Sequence, residues 1–353
     1  MDLTDFRTYG RTGLRVSPLT LGAMTFGDPS WGADVETAEA IIDRYLAAGG
    51  NAIDTANGYT EGRSEQTIGG YLTKHPGLRD RLVIATKFAG NMFPGDPNGG
   101  GAGRKAIVQQ LDASLTRLGT DYVDLYWLHN YDPHTPIGET IATLDDLVRA
   151  GKIRYVGLSD TPAWGGARAA TIAELRGWAP VAGIQVEYSL VQRTVEGELF
   201  GVARELGLGV TPWSPLAGGV LSGKYTRDNQ SPADSGRVTL GRPAYLSEQT
   251  FTLLDALAEI ARDLGTTVAA VALAWVRQQQ PVTTTLIGAR TVAQLDANLA
   301  SLDVTIPAEA LTRLDELTVP DLNFPFAFLT ATARNWQQGG TTINGLASAV
   351  FGR

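Results

Sequence analysis

Short apolar runs alternate with longer amphipathic stretches along most of the chain, and that rhythm predicts its elements. Brief runs read as buried strands at Leu19–Gly22, Ala52–Asp54, Leu82–Lys87, Val123–Leu128, Ile153–Ser159, Gly183–Glu187, Gly209–Trp213 and Thr285–Ile287. Helical spacing fills the intervals. Val35–Ala48 carries Val35, Ala38, Ile41, Ile42 and Tyr45 on one face, and Arg104–Leu118 carries Ile107, Val108, Leu111, Leu115 and Leu118 before a Gly119 stop. Further helices are predicted at Ser64–Leu72, Gly138–Ala150, Gly197–Leu206, Ser247–Leu264 and Val292–Leu302, with Thr266–Gln280 as an inserted packing helix. Around Ala163–Leu175 the pattern is interrupted by Gly165-Gly166. Eight β-then-α units predict a (β/α)8 TIM barrel rather than an open doubly wound sheet. No GxGxxG lies between the first strand and helix, which argues against a Rossmann unit. No linker or composition shift divides residues 1–353, so a single domain is expected.

Ahead of the barrel, Phe6–Ser17 alternates around a glycine-rich turn and predicts a β-hairpin. Three connections exceed what a compact domain needs: Phe88–Gly103, Ser214–Leu246 and the tail from Val319 to Arg353. They are expected to be mobile, with Ser214–Leu246 closing over a bound cofactor.

Composition narrows the function classes. A formal charge of -8 argues against a nucleic-acid binder and against attachment to an anionic membrane. The absence of cysteine excludes disulfides and thiolate chemistry. Met1-Asp2-Leu3-Thr4-Asp5 is acidic where a signal peptide is basic, and no run approaches the ~18 apolar residues of a membrane span. A cytoplasmic location is expected.

Candidate chemistry gathers at the predicted strand ends, where parallel barrels place their active sites. Asp54 and Tyr59 lie in Asn51-Ala52-Ile53-Asp54-Thr55-Ala56-Asn57-Gly58-Tyr59, Lys87 ends Val83-Ile84-Ala85-Thr86-Lys87, and His129 follows Asp124-Leu125-Tyr126-Trp127-Leu128. Carbonyl reduction needs a hydride donor, a proton donor and a field that stabilises the forming alkoxide. A tyrosine at its ordinary pKa of ~10 needs biasing neighbours, which a lysine held by an aspartate provides.

Taken together, in this order and setting, the four residues resemble the catalytic tetrad of the aldo-keto reductases. The resemblance spans nearly the whole chain, from the hairpin through Asn298, and is nearest to bacterial members related to potassium-channel beta subunits and to sugar or quinone reductases. It implies an oxidoreductase that reduces an aldehyde or ketone with NADPH rather than NADH. Tyr59 is then the general acid, Lys87 its pKa modulator, Asp54 the partner of Lys87, and His129 the residue that orients the carbonyl. Gly22, Met24, Asp54, Ser159, Asp160 and Gln185 would meet the nicotinamide end, although Asp160 stands where the family has asparagine. Trp213 would stack on the ring, while Ser214, Leu216, Gly218 and Lys224 would wrap the pyrophosphate. Gly288, Arg290, Gln294 and Asn298 would hold the adenosine 2′-phosphate end, with Ala297 where many relatives carry glutamate. The substrate pocket is expected from Met24, Trp31, Tyr59, Phe88, His129 and Asn130, with Trp127 and the Phe324–Phe328 tail as further walls. The partner is a small carbonyl compound, and a monomer is favoured.

Other classes leave residues unused. The three histidines, His75, His129 and His134, form no HxH or HExxH pattern, so no metal site is expected. A glycosidase built on Asp54, Asp160 and Glu187 leaves Tyr59 and Lys87 without a role. A nucleotide-sensing or scaffold protein with little turnover is the alternative within the same fold.

Overall fold

The computed structural model describes residues 1–232 and 245–350. A two-stranded antiparallel hairpin, β1 (Arg7–Thr8) and β2 (Arg15–Val16), precedes the main sheet. The eight strands β3 (Leu19–Gly22), β4 (Ala52–Asp54), β5 (Val83–Phe88), β6 (Val123–Leu128), β7 (Ile153–Ser159), β8 (Val181–Glu187), β9 (Gly209–Trp213) and β10 (Thr285–Gly288) then pair in parallel. β10 returns to lie beside β3, placing Gly288 opposite Gly22. The seam between β9 and β10 is a single bridge, Val210 to Val282, beside a 2.9 Å bond from Thr283 N to Val210 O. This is the nearly closed barrel the alternation predicts.

Helices α1 (Val35–Ala47), α2 (Arg63–Lys74), α3 (Arg104–Leu118), α4 (Ile137–Arg149), α5 (Ala163–Arg176) and α6 (Leu199–Leu206) occupy the crossovers between β3 and β9. α7 (Glu248–Asp263) and α8 (Val268–Gln278) precede β10, and α9 (Val292–Leu299) and α10 (Ala308–Leu317) follow it. The interruption expected at Gly165-Gly166 does not occur, and α5 is continuous. There the glycine serves close approach: a Cβ on Gly165 would meet Thr161 Cγ2 at 3.2 Å and the Tyr131 ring at 3.8 Å. α8 is the inserted packing helix, started by Thr267, whose side chain accepts from Ala270 N. α10 was not anticipated, because among its residues only Leu314 is fully buried and its apolar stripe is thin.

Period-two alternation sorts the strand residues between two cores. On β5, Ile84 and Phe88 join the shell between sheet and helices, whereas Ala85 joins the packed barrel interior of Tyr9, Val16, Ala52, Leu125, Trp127 and Ala182. The hairpin supplies the first two of those partners and closes the barrel floor, with Tyr9 Oη 2.6 Å from Thr211 Oγ1 on β9. The filled interior leaves polar strand-end residues at the other end as the place for chemistry.

The long β5–α3 connection is tied down along its length. Asp132 accepts from Ala102 N at 2.9 Å, and Gln110 Oε1 accepts from Ala89 N at 3.2 Å. Of the connection expected over Ser214–Leu246, residues 233–244 lie outside the described residues, and with them much of the segment expected to close; Ala217–Ser222 forms a 3-10 turn. The tail folds as short helical turns over residues 326–338 and a hairpin of Thr342–Ile343 with Leu346–Ala347. No described helix is long and apolar enough to cross a membrane.

Candidate active site

Asp54, Tyr59, Lys87 and His129 converge at the C-terminal mouth of the barrel. Lys87 is fully buried and its ammonium is saturated: Nζ donates to Asp54 Oδ1 in a close ion pair, to Thr55 O at 2.8 Å and to Tyr59 Oη at 3.0 Å. Those three acceptors match the three hydrogens of an ammonium. Burying an isolated charge costs several kcal/mol, so the site depends on all of them. Asp54 is equally committed, since its second oxygen accepts from Gln185 Nε2 at 3.0 Å. Because Lys87 donates into the Tyr59 oxygen, the phenolic hydrogen is left to point elsewhere. His129 Nε2 stands 3.5 Å from Tyr59 Oη, with the two rings edge-on at a centroid distance of 5.5 Å.

The electrostatics follow from burial and neighbours. Burial pushes the Tyr59 hydroxyl above its ordinary pKa, and the Lys87 charge pulls part of that back, so the phenol is protonated. For Lys87, burial opposes the charge, but Asp54 and Tyr59 outweigh it and raise the pKa. Burial and the Lys87 charge push His129 down to about 3, which keeps the imidazole neutral. The arrangement is a protonated phenol, backed by a fixed cation and flanked by a neutral imidazole.

The turn that carries Tyr59 is strained and bolted. Thr60 and Glu61 both adopt left-handed backbone, with φ of 48° and 59°. A β-branched residue there costs of order 1–3 kcal/mol. Thr60 Oγ1 recovers a bond to Phe26 O at 2.8 Å, and Ser64 Oγ, shared with Thr55 Oγ1, donates to Ala23 O at 2.7 Å. These supports are not found from the sequence, where their only signal is the pair of hydroxyls, Thr55 and Ser64, on either side of Tyr59.

The residues expected to hold a dinucleotide lie along the same mouth. Ser159 and Gln185 are buried side by side, paired in the β7–β8 register, and Asp160 follows with a left-handed φ of 42°. Asp160 Oδ1 accepts from Trp213 Nε1 at 3.0 Å. Burial raises the Asp160 pKa, and the indole bond pulls part of that back. Beyond Trp213 the chain turns through Ser214 (φ 51°), Leu216, Gly218 (φ 69°) and Gly219 (φ 103°). A Cβ on Gly219 would lie 3.6 Å from Lys224 Nζ, so bare backbone and an ammonium share a cradle suited to a phosphate. Across the mouth, nothing within 4 Å would meet a Cβ at Gly288. Arg290 N donates to Gln294 Oε1 at 2.9 Å, and buried Asn298 donates from Nδ2 to Gly288 O at 3.0 Å. Gln294 and Asn298 thus shape the loop that carries Arg290.

The chain matches the model of the aldo/keto reductase family over residues 18–319. It is 37% identical to an uncharacterized oxidoreductase, YrpG, of Bacillus subtilis across 322 residues, covering 89% of this chain and 95% of that protein. It is 35% identical to norsolorinic acid reductase stcV of Emericella nidulans, over 90% of this chain and 82% of the relative. An aryl-alcohol dehydrogenase [NADP(+)] of Phanerodontia chrysosporium is 31% identical, with 89% and 86% coverage. The chain belongs to the aldo/keto reductase family.

Within this aldo/keto reductase, two residues expected to wall the substrate pocket lie elsewhere. Phe88 is fully buried and packs on Tyr126, at a centroid distance of 4.8 Å, in the shell facing the helices. Strand alternation explains the correction: Lys87 points into the barrel, so its neighbour points out. Trp127 fills the barrel interior against Tyr9 and is 1% exposed, so it walls no open pocket. Met24 and Asn130 are exposed just beyond β3 and His129, and Trp31 is half-buried in the β3–α1 loop. Sequence reasoning overlooked a second aromatic pair beside His129. Tyr131 packs edge-on against Trp164 at 5.4 Å, Tyr131 N donates to Asp160 O, and Trp164 is 56% exposed. Among the described residues no cluster of three or more His, Cys, Asp or Glu side chains could hold a metal ion.

Proposed function

We propose that this aldo/keto reductase reduces aromatic aldehydes or ketones to alcohols with NADPH, using Tyr59 as the general acid. The observation that carries the reading is the Tyr59 hydroxyl, whose oxygen accepts from Lys87 Nζ at 3.0 Å with His129 Nε2 at 3.5 Å. Ser159, Gln185, Trp213 and the Gly218–Lys224 turn would hold the reduced nicotinamide dinucleotide, which would supply a hydride, one proton with two electrons, to the carbonyl carbon. Tyr59 Oη delivers the proton to the carbonyl oxygen, and Lys87 stabilises the phenolate left behind. Neutral His129 hydrogen-bonds the same oxygen and fixes the face presented. In the reverse direction Tyr59 acts as the base.

NADPH is favoured because Arg290 stands just before Thr291, the N-cap of α9, where a guanidinium fork suits a 2′-phosphate. The dehydrogenase relative named for NADP(+) supports the same choice. Aromatic substrates are favoured by the Tyr131–Trp164 pair beside His129 and by relatives named for aryl alcohols and norsolorinic acid. The test is turnover of 4-nitrobenzaldehyde by the purified protein with NADPH and with NADH, alongside Tyr59→Phe. Turnover with NADPH that the variant loses supports the proposal; a Tyr59→Phe enzyme as fast as wild type refutes the role of Tyr59.

A further inference from the structure

Two side-chain amides, Asn57 and Gln110, are fully buried and have no part in the proposed chemistry. Asn57 stands in the turn after β4, two residues before Tyr59, and its backbone N donates to Lys87 O at 3.1 Å. Gln110 lies in the middle of α3. Its Oε1 accepts from Asn57 Nδ2 at 2.5 Å and from Ala89 N at 3.2 Å, while its Nε2 donates to Gly99 O at 3.4 Å. Asn57 Nδ2 also donates to Gly90 O, at 3.1 Å. Ala89, two residues after Lys87, is held left-handed at φ 92°, and its carbonyl accepts from Gly101 N at 2.9 Å.

Backbone groups fix which way both amides face. Ala89 N is a donor, so the Gln110 atom that meets it is the oxygen, and both lone pairs of that oxygen are taken. Gly90 O is an acceptor, so the Asn57 atom that meets it is the nitrogen, and both Nδ2 hydrogens are taken as well. A flip of either amide would set donor against donor or acceptor against acceptor. This orientation leaves Asn57 Oδ1 buried with no partner among the described residues. A single atom, Gln110 Oε1, thus joins the segment that carries Tyr59 to the segment that carries Lys87, whose Nζ and Oη meet at 3.0 Å. We propose that Gln110 is a positioning residue for proton delivery: by fixing the separation between the Tyr59 turn and the end of β5, it holds the Tyr59 hydroxyl against the Lys87 ammonium. The proposal rests on the reductase reading above and adds the residue that sets the geometry of its acid.

The test is the single-turnover rate of the full chain, loaded with NADPH and mixed with 4-nitrobenzaldehyde, with the NADPH dissociation constant read in parallel by calorimetry. Gln110→Met keeps the length of the side chain and removes the acceptor. It is expected to slow the reduction about ten- to a hundredfold, with NADPH affinity within about threefold of wild type. Asn57→Ala removes the same contact from the other side and is expected to follow it. Gln110→Glu keeps Oε1 as an acceptor and is expected to recover most of the rate. In the oxidative direction, with 4-nitrobenzyl alcohol and NADP+, Tyr59 is the base, and a looser contact with the Lys87 charge raises its pKa. The rising limb of that rate against pH is therefore expected about one unit higher in Gln110→Met. Asp54, Asp160 and His129, the other titratable groups acting on Tyr59, are left in place. A folded Gln110→Met or Asn57→Ala protein within about twofold of the wild-type rate overturns the proposal. So does an equal loss of rate and of NADPH affinity, which marks a merely structural role. Gln110→Glu as slow as Gln110→Met overturns the part assigned to Oε1. If wild type binds NADPH but reduces no aldehyde, the reductase reading itself fails and the inference falls with it.

Discussion

Replacing Asp54 by asparagine keeps the size of the side chain and removes the carboxylate paired with a fully buried ammonium. Lys87 retains Thr55 O and Tyr59 Oη as acceptors, but the desolvation of its charge is no longer offset by a directly paired anion. Breaking a buried pair from one side costs about 3–5 kcal/mol. That is a large share of a typical stability of about 5–15 kcal/mol. The loss carries a pH signature. In wild type Lys87 has a folded pKa raised above its ordinary 10.5, so the stability it contributes is fully present below that value and is lost only as pH rises through the folded pKa. In Asp54→Asn burial is largely unopposed, so the folded pKa falls below the unfolded one. The penalty is then full at low pH and shrinks as pH climbs towards ~10.4. Urea unfolding at pH 7 and pH 9.5 reads this directly. Asp54→Asn is expected to lose about 3 kcal/mol at pH 7 and clearly less at pH 9.5. The double variant Asp54→Asn/Lys87→Met, with both charges gone, is expected to be more stable than the single one at pH 7. A single-variant loss below about 1 kcal/mol at pH 7, or a loss as large at pH 9.5, would refute the buried-pair reasoning.

Tyr59→Phe is expected to lower the reduction rate by about 10²–10⁴-fold, while calorimetry finds the NADPH dissociation constant within a few-fold of wild type. Arg290→Ala is expected to weaken NADPH by about tenfold or more and leave NADH unchanged; equal weakening of both would remove the 2′-phosphate role. His129, held neutral with a pKa of about 3, predicts a reductive kcat flat between pH 5 and 8, and a break near 6.5 would count against it. Because that folded pKa is depressed, the stability contribution is present above the unfolded value of about 6.5 and is lost as pH falls from there towards 3. Phe88→Ala is expected to cost about 3–5 kcal/mol in urea unfolding with little change in the KM for an aldehyde, whereas a pocket wall would change KM first.

The barrel was legible because a parallel sheet covered on both faces imposes a signature that few other folds share. Its strands are short continuous apolar runs, and its crossovers carry helical spacing long enough to cover them. Boundaries moved by a residue or two, as at β8, which starts at Val181 rather than Gly183. Two failures have physical causes. Glycine propensity argued against α5, but tertiary packing decided otherwise, since Thr161 Cγ2 would stand 3.2 Å from a Cβ on Gly165. α10 buries little and so left little periodicity to find.

The site was legible in its polar members and illegible in its apolar ones, and burial explains the asymmetry. A lysine ending an apolar strand is costly unless something receives its charge, so Lys87 advertises partners that must lie at neighbouring strand ends. Phe88 is at home in either layer and advertises nothing. Applying strand alternation to the pair resolves it: with Lys87 reaching Tyr59 across the barrel mouth, the next side chain must enter the helix-facing shell, where Phe88 meets Tyr126. The same rule, started from Leu128, places Trp127 inside the barrel. Loop partners carry no such periodicity. The Asp160–Trp213 bond joins residues 53 apart in sequence, and it follows only from knowing that β7 and β9 end on either side of β8. What the chain spells out is which groups need company; the sheet order decides whose company they keep.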